Sequence, residues 1–572
     1  MKLLKNKIFI LNPNTQFFIV LALLIVLDLF QISIRSKSII FIGILLSLYL
    51  FNNQNYKIKN MDFFGKKNFY LLILFIVLMI TQNKYLNFEI ISIDIPSYLV
   101  ASRSENFFEI PFLQQWESKG PVFIYLYRFL LFLSNDNYLF FRILNDLLLF
   151  ISSTFIFLIS YEIGKNYFFS FISSLFFVLV TSHVWYVTEL SEIYCLLFIL
   201  AQYYLLIKYP ISKKYIFISG LLISVSSLIN QSTAIFIIGV LIFIYFFKKF
   251  NEISYYVFLV IGFLIPQIAF YLIYFFNDLS IIYFTNYVKI PFGYVNTGKF
   301  EIYELVVWLR RYFKYNEFLY FSIIGLIFLG FTDIIKKNIV NSYNKILNIS
   351  YLVLGFLIYV IAGHSYQHHL FYSIAFFTIF ISNFISKDKV NILSLFVSFL
   401  IIISTFQIIS TSFNQSFNNL IKHKETYDNY PLKNLASEID QIFENKDYNV
   451  LAVDHVLLLF YLEKLNISYI VHPFNNFEPY IVDALVNTKK LKTNDYSHLS
   501  YYVELEPDVI ICAPQTIIDG SPTKIGSNIF NCEVTDYKKN YFKLDTNKYL
   551  ENPNREYYYD PYISIDVFIK NE

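Results

Sequence analysis

An aspartate stands among apolar and aromatic residues in ISIDIPSYLV, residues 91–100, about a dozen residues after an apolar run with the look of a membrane helix. A carboxylate at such a boundary meets water on one side and lipid headgroups on the other, and it can take a proton or stabilise developing charge. Asp94 can equally do no more than start a helix, since Asp-Ile-Pro-Ser has the composition of a helix N-terminus. Its surroundings favour chemistry. Tyr98, Arg103, FFEIPF (107–112), Trp116 and the run Lys119-Gly120-Pro121 follow. Next comes VFIYLYRFLLFLS, an amphipathic stretch suited to a helix lying in the interface. Rings and cations gather at headgroup depth in any membrane protein, which accounts for the aromatics but not for Lys-Gly-Pro.

Three further groups carry ionisable residues. Arg142 and Asp146 are four apart, close enough on one helix to neutralise each other. Glu189 and Glu192 stand just before and at the start of an apolar run, where a solvated loop face is the bland alternative. His368 and His369 are adjacent, beside Tyr366 and Gln367, at the end of a late apolar run, and their pairing favours ligand contact over interfacial placement.

The elements that must hold these residues are membrane helices. Hydrophobic residues make up 56% of the 572 and charged residues 15%, a balance that a soluble domain of this length would not keep in solution. A spanning helix needs roughly 20 apolar residues. That rule places spans near 15–34, 38–51, 69–82, 138–162, 166–182, 190–208, 214–229, 232–248, 254–275, 316–332, 347–363, 368–385 and 390–411, about thirteen in all. The basic then apolar N-terminus lacks a small-residue cleavage site and reads as an uncleaved first helix.

With the N-terminus inside, the cytoplasmic turns hold Lys57, Lys59, Lys66 and Lys67, then Lys165, Lys208, Lys213 and Lys214, Lys248 and Lys249, Lys336, Lys337 and Lys345, and Lys387 and Lys389. Each is basic, as the positive-inside rule requires. The long connections 83–137 and 276–315 and everything after 411 then lie outside. This puts the chain in the plasma (inner) membrane as a multi-pass protein, with 1–411 as its transmembrane part.

Residues 412–572 differ in character. NVLAVDH (449–455), ISYIVHP (467–473) and PDVIICAP (507–514) are short β-prone runs with the helix-like VLLLFYLEKL between the first two. A small extracytoplasmic α/β domain is expected there, its boundary near 412–430. Asp454 and His455 at a strand end are a weak hint of a site, with turn capping the simpler account. Cys512 and Cys532 could pair outside the cytoplasm or stay as thiols, and Cys195 lies in an apolar run.

The order Asp-x-x-x-Tyr, a Pro-Phe about a dozen residues on, then Trp-x-x-Lys-Gly-Pro and an aromatic amphipathic helix resembles the first outer loop of the GT-C superfamily of glycosyltransferases. The likeness is to its protein O-mannosyltransferase and aminoarabinose-transferase kind. That family usually has a second acid after the aspartate, where Ile95 stands here, and Lys-Pro-Pro for Lys-Gly-Pro. DNYLFFRILNDLLLF (136–150) resembles its next helix, opening near Arg142. TSHVWYVTELSEIYCLLFILA (181–201) is similar to its second outer loop, with Glu189 or Glu192 as the acidic residue. GHSYQHHLFYSIAFF (363–377) resembles a Gly-Arg-x-Tyr-x-His-Tyr segment, with His364 for the arginine and His369 for the tyrosine. The match covers roughly 69–411.

The resemblance implies an inverting enzyme that moves a sugar from a polyprenyl-phosphate donor to a lipid, glycan or protein acceptor at the outer membrane face. Asp94 would orient or deprotonate the acceptor. Lys119, Arg103, Arg142, His368 and His369 are the candidates for the donor phosphate, and Glu189 and Glu192 are secondary acids near the acceptor. No cofactor or metal ligand set is assigned, though a divalent ion is left open, and no nucleic-acid partner is expected. Two other classes compete. A lipid-linked-sugar flippase would carry ionisable residues along the midplane of several helices, whereas Asp28 is nearly alone there. A non-catalytic scaffold acting through the C-terminal region is the third.

Overall fold

The computed structural model describes residues 67–571, except 247–251, 308–316, 336–342, 383–391, 492–501, 513–516, 523–539, 547–564 and some single positions and pairs, among them His364. The expected spans 15–34 and 38–51 lie outside the described residues. Each later one falls on a helix: Lys67–Asn83, Tyr138–Gly164, Tyr167–Thr181, Ser191–Lys208, Lys213–Ser227, Ile237–Phe246, Ile253–Phe275, Glu317–Ile335, Tyr343–Ala362, Phe371–Ile381 and Ile392–Ile421. Among the described residues, five helices are long and apolar enough to cross a membrane: Tyr138–Gly164, Ser191–Lys208, Ile253–Phe275, Asn344–Ala362 and Ser394–Ile421. The chain is a membrane protein.

The packing is that of helices in lipid, where apolar side chains gain nothing by turning inward and small polar ones let helices approach. Ser152, Ser153 and Ser160 of Tyr138–Gly164 are buried, as are Ser173 and Ser174 of Tyr167–Thr181, while Val260, Leu264 and Ile268 of Ile253–Phe275 are exposed. Helix starts are set by side chains: Asn137, Asn166 and Ser212 accept from the amides of Phe140, Phe169 and Tyr215.

The last membrane helix does not stop at 411 but runs on to Ile421. Its extension is amphipathic in the inverted sense. Phe413 and Phe417 point out, while Ser412, Ser416 and Asn419 are buried. Asn419 Nδ2 donates to the carbonyls of Asn83 and Lys84 at the end of the first described helix. The boundary placed at 411/412 therefore falls inside a continuous helix, because these polar residues satisfy a neighbouring helix end instead of facing water.

The loop 83–137 holds two short helices, Asp94–Ser102 and Pro121–Ser134. Arg128 on the second fixes the stretch of loop between them: its Nε donates to Ser102 O at 3.0 Å and its Nη1 to the carbonyls of Phe107 and Glu109. The turn into the second helix explains Lys-Gly-Pro. Gly120 N donates to Ile229 O at 2.9 Å and Val122 N to Leu228 O at 3.2 Å, so the loop backbone lies directly on residues 228–229. A Cβ on Gly120 would stand 2.0 Å from Leu228 O. Pro121 occupies the first helical turn, where its missing N–H is not needed.

Residues 431–570 include the helices Pro431–Phe443, Leu457–Tyr461 and Pro479–Val486 and a four-stranded sheet. Val450–Ala452 pairs parallel with Val509–Cys512, which pairs antiparallel with Asp566–Lys570, which in turn pairs antiparallel with Tyr541–Lys543. The β-prone ISYIVHP is not a strand of this sheet. Ile470 within it makes a single parallel bridge to Trp116, and Asn466 just before it one to Val450, so the segment joins the sheet to the loop. Only Leu457–Tyr461 of VLLLFYLEKL is helical, and Glu463 has a left-handed backbone (φ 56°) that turns the chain out of it. Cys512 is disulfide-bonded, whereas Cys532 lies outside the described residues.

Because Gly120 sits in backbone-to-backbone contact, Gly120→Ala should lower stability by about 1–3 kcal/mol, the range for overpacking a fixed site. Thermal unfolding in detergent reads this directly, and an unchanged midpoint would show that the loop can move off residues 228–229.

Candidate functional site

Asp94 is the first residue of its helix, but its carboxylate does not cap it; no side chain does. The carboxylate instead accepts a hydrogen bond at 2.8 Å from Nε2 of His472, in the C-terminal segment. Its side chain remains 24% exposed, so a ligand can still reach it. Burial would raise the Asp94 pKa, but the hydrogen bond and charge of His472, with His368 and Lys119 nearby, bring it down to about 2. Asp94 is ionised.

Lys119 links this carboxylate to two further acids, Glu117 of the same loop and Glu192. Lys119 Nζ lies 5.7 Å from the ring centroid of Tyr98, one helical turn beyond Asp94. Burial alone would lower the Lys119 pKa, yet Glu192, Asp94 and Glu117 hold it above the ordinary lysine value. Glu117 is buried and its pKa is raised by that burial, although it accepts from both the amide and the hydroxyl of Ser118. Glu192 is fully buried in the first turn of Ser191–Lys208, where the exposed amide ends of the helix favour an anion. It accepts from Ser191 Oγ at 3.2 Å and from Asn230 Nδ2 at 3.3 Å.

The adjacent histidines meet Glu192. His369 Nδ1 stands 3.5 Å from Glu192 Oε1, and the two imidazole rings are 4.4 Å apart, in the single turn Gln367–Leu370 that precedes Phe371–Ile381. One ligand atom from each of Glu192, His368 and His369 falls within 4.8 Å of the others. His369 Nε2 is buried without a hydrogen bond, while Nδ1 faces the Glu192 carboxylate. Asp94, Lys119, Glu192, His368 and His369 are thus drawn together from three separate stretches of sequence.

Arg103, Arg142 and Glu189 are not part of this cluster. Arg103 turns toward the C-terminal segment, donating to Phe460 O at 2.5 Å and pairing with Glu463 at 3.2 Å. Arg142 pairs with Glu189 at 2.9 Å and donates to the carbonyls of Phe88 and Tyr85. Asp146, expected to neutralise it, instead accepts from Thr188 Oγ1 at 2.9 Å. Arg142, Asp146, Thr188 and Glu189 line a cavity of about 10 Å³, room for a single water. This buried network clamps the loop at 183–190 to the start of Tyr138–Gly164. Asp454, the weak hint in the C-terminal region, accepts from its neighbour's amide, His455 N, at 2.7 Å, as a turn cap does.

His472 is the residue that sequence reasoning missed. It is 378 positions from Asp94, and the only local signal was a histidine ending a β-prone run before a proline.

No protein-family model matches the chain, and no curated protein sequence does. Solved structures do. ArnT from Cupriavidus metallidurans bound to undecaprenyl phosphate superposes with a TM-score of 0.53 at 10% identity, over 78% of this chain and 93% of that one. The archaeal oligosaccharyltransferase AglB from Archaeoglobus fulgidus, in complex with an inhibitory peptide and a dolichol-phosphate, gives a TM-score of 0.42 at 9% identity over 78% of this chain and 69% of its own. The likeness to ArnT shows that the chain shares the fold of that structure.

The two charge clusters differ in what removing a member should do. Arg142 and Glu189 are 4% and 3% exposed, and losing either strands the other as a buried charge. Arg142→Ala and Glu189→Ala should each destabilise the protein by about 3–5 kcal/mol. A thermal-unfolding midpoint close to that of the unmutated protein would contradict the structural role assigned to the pair.

Proposed function

We propose that the protein is an integral membrane glycosyltransferase that moves a sugar from a polyprenyl-phosphate donor to a lipid, glycan or protein acceptor at the outer face of the membrane. The observation that carries this reading is the meeting of an ionised, ligand-accessible Asp94 with Lys119, Glu192 and two histidines on a GT-C-like fold. The solved relative with that fold holds undecaprenyl phosphate. On this reading residues 1–411 and the helix extension to 421 form the membrane part, and the remainder is an extracytoplasmic α/β domain.

In the transfer, the acceptor's nucleophilic atom bonds the anomeric carbon with inversion while the bond to the phosphate oxygen breaks, its electron pair leaving on the phosphate. Asp94 takes the acceptor's proton or balances the charge that develops there. Lys119, with His368 and His369, holds the departing phosphate, since a charge-assisted contact is strongest where water is scarce. Asp94→Asn, which keeps shape and hydrogen bonding, should cost about 10²–10⁴ in turnover while leaving expression and folding intact. Transfer of radiolabelled sugar from prenyl-phosphate donors by purified protein measures this, and near wild-type turnover would remove Asp94 from the chemistry.

Glu192, His368 and His369 fit a divalent cation: one carboxylate and two imidazoles, with Nε2 of His369 buried and unbonded. A bound ion would supply positive charge for the donor phosphate. Lys119 contributes such charge beside Glu192 as well. Protein purified with metal in the buffer should retain it, and Glu192→Gln combined with His369→Ala should not. Equal metal content, read by elemental analysis, would rule these residues out as the ligands.

A further inference from the structure

The contact between His472 and Asp94 is built, not incidental. Trp116 N donates to Tyr469 O at 2.7 Å and Val471 N to Trp116 O at 3.4 Å, a bridge that holds residues 469–471 alongside the loop just ahead of Glu117, Ser118 and Lys119. Gln115 adds a second tie, with Nε2 donating to Asn466 O at 2.8 Å and Oε1 accepting from Asn466 N at 3.2 Å. Asn466 in turn is locked to the sheet through both main-chain groups of Ala452. The segment is thus fixed from both sides, and the next residue after it is His472.

We propose that His472 is a positioning residue of the transfer site: its Nε2–H aims the Asp94 carboxylate at the acceptor, and loss of its second ring proton is what frees that carboxylate to act as a base. The proposal rests on the reading of Asp94 given above. The side chain is 9% exposed, and Nδ1 is buried without a hydrogen-bond partner. Nε2 therefore keeps its proton against the carboxylate, and Nδ1 is where the ring titrates. The charged and titratable groups that face it are Asp94, Glu117, Lys119 and Asp454. Burial would lower the His472 pKa, but the hydrogen bond to Asp94 and the charges of Glu117 and Asp94 hold it above the ordinary histidine value.

With both ring nitrogens protonated, a full positive charge neutralises Asp94 and weakens it as a proton acceptor. After Nδ1 loses its proton, the neutral imidazole still orients the carboxylate, which now takes the proton from the acceptor hydroxyl. The acceptor oxygen bonds the anomeric carbon, and the phosphate leaves with the electron pair of the broken bond. The C-terminal region is on this account part of the active site.

The test is the pH dependence of transfer by the full-length protein. In the wild type, kcat/KM should rise with pH along a limb set by His472. His472→Ala should lose about 10- to 100-fold in kcat with little change in KM, the equivalent of one hydrogen bond to a charged group. His472→Gln, whose amide can still donate to Asp94, should recover much of that loss and show no such limb. A limb that persists in His472→Gln, or wild-type kcat in His472→Ala, overturns the proposal. A second readout needs no activity. The imidazole resonance that disappears in His472→Gln should titrate at lower pH in Asp94→Asn than in wild type, and an unmoved titration overturns the proposal as well. Should Asp94→Asn transfer sugar normally while that resonance still shifts, the pairing stands and it is the reading of Asp94 as base that falls.

Discussion

Trp116 is the constraint on which the site depends. Its ring is fully buried and its Nε1 donates to Asn286 Oδ1 at 2.6 Å, while its main-chain groups pair with Tyr469 and Val471. Asn286 lies in the single π-helical turn Thr285–Lys289 and also donates to Lys119 O at 3.4 Å. One residue thus joins the first long loop, the 276–315 connection and the C-terminal segment. A tryptophan suits this post because its large apolar area fills the junction and its one donor still finds a partner when buried. The Asp94–His472 contact follows from that junction, since the same backbone pairing that seats Trp116 delivers His472.

The C-terminal region is bound to the loop by more than this one bridge. Glu89 accepts from the amides of Leu432 and Lys433 at 2.9 and 3.1 Å, capping the helix Pro431–Phe443 from outside its own segment. A carboxylate is well placed at a helix N-terminus, where unsatisfied amides and the aligned peptide dipoles both favour negative charge. Tyr469 Oη donates to Phe112 O at 2.6 Å, and Arg103 reaches Phe460 and Glu463. Most of these ties run from a side chain on one segment to the backbone of the other. They fix the relative placement of the two in a way that apolar contact alone would not.

Much of the membrane part was legible because its signals are local. A run of apolar residues between basic turns marks a helix wherever it falls, and the helices from Lys67–Asn83 onward lie where such runs occur. The same holds for Asp94, Lys119, Glu192 and the His368–His369 pair, each conspicuous as a charged residue in an apolar setting. What was not legible is which charges meet. Asp146, at helical spacing from Arg142, looked like its partner, but the helix points that carboxylate toward Thr188 and leaves the arginine to Glu189, 47 residues away. ISYIVHP has strand composition, yet the single bridges at Ile470 within it and Asn466 just before it make it a connector, and no periodicity distinguishes the two. The extension of the last helix past 411 was hidden because serine and asparagine read as loop residues until a neighbouring helix end is there to receive them.

The most direct measurement is a structure of the protein determined with a polyprenyl phosphate bound. The account predicts the phosphate in contact with Lys119, beside Glu192, His368 and His369, with Asp94 and His472 on the side from which an acceptor would approach. A phosphate held elsewhere, with Lys119 and Asp94 touching only protein and water, would contradict it.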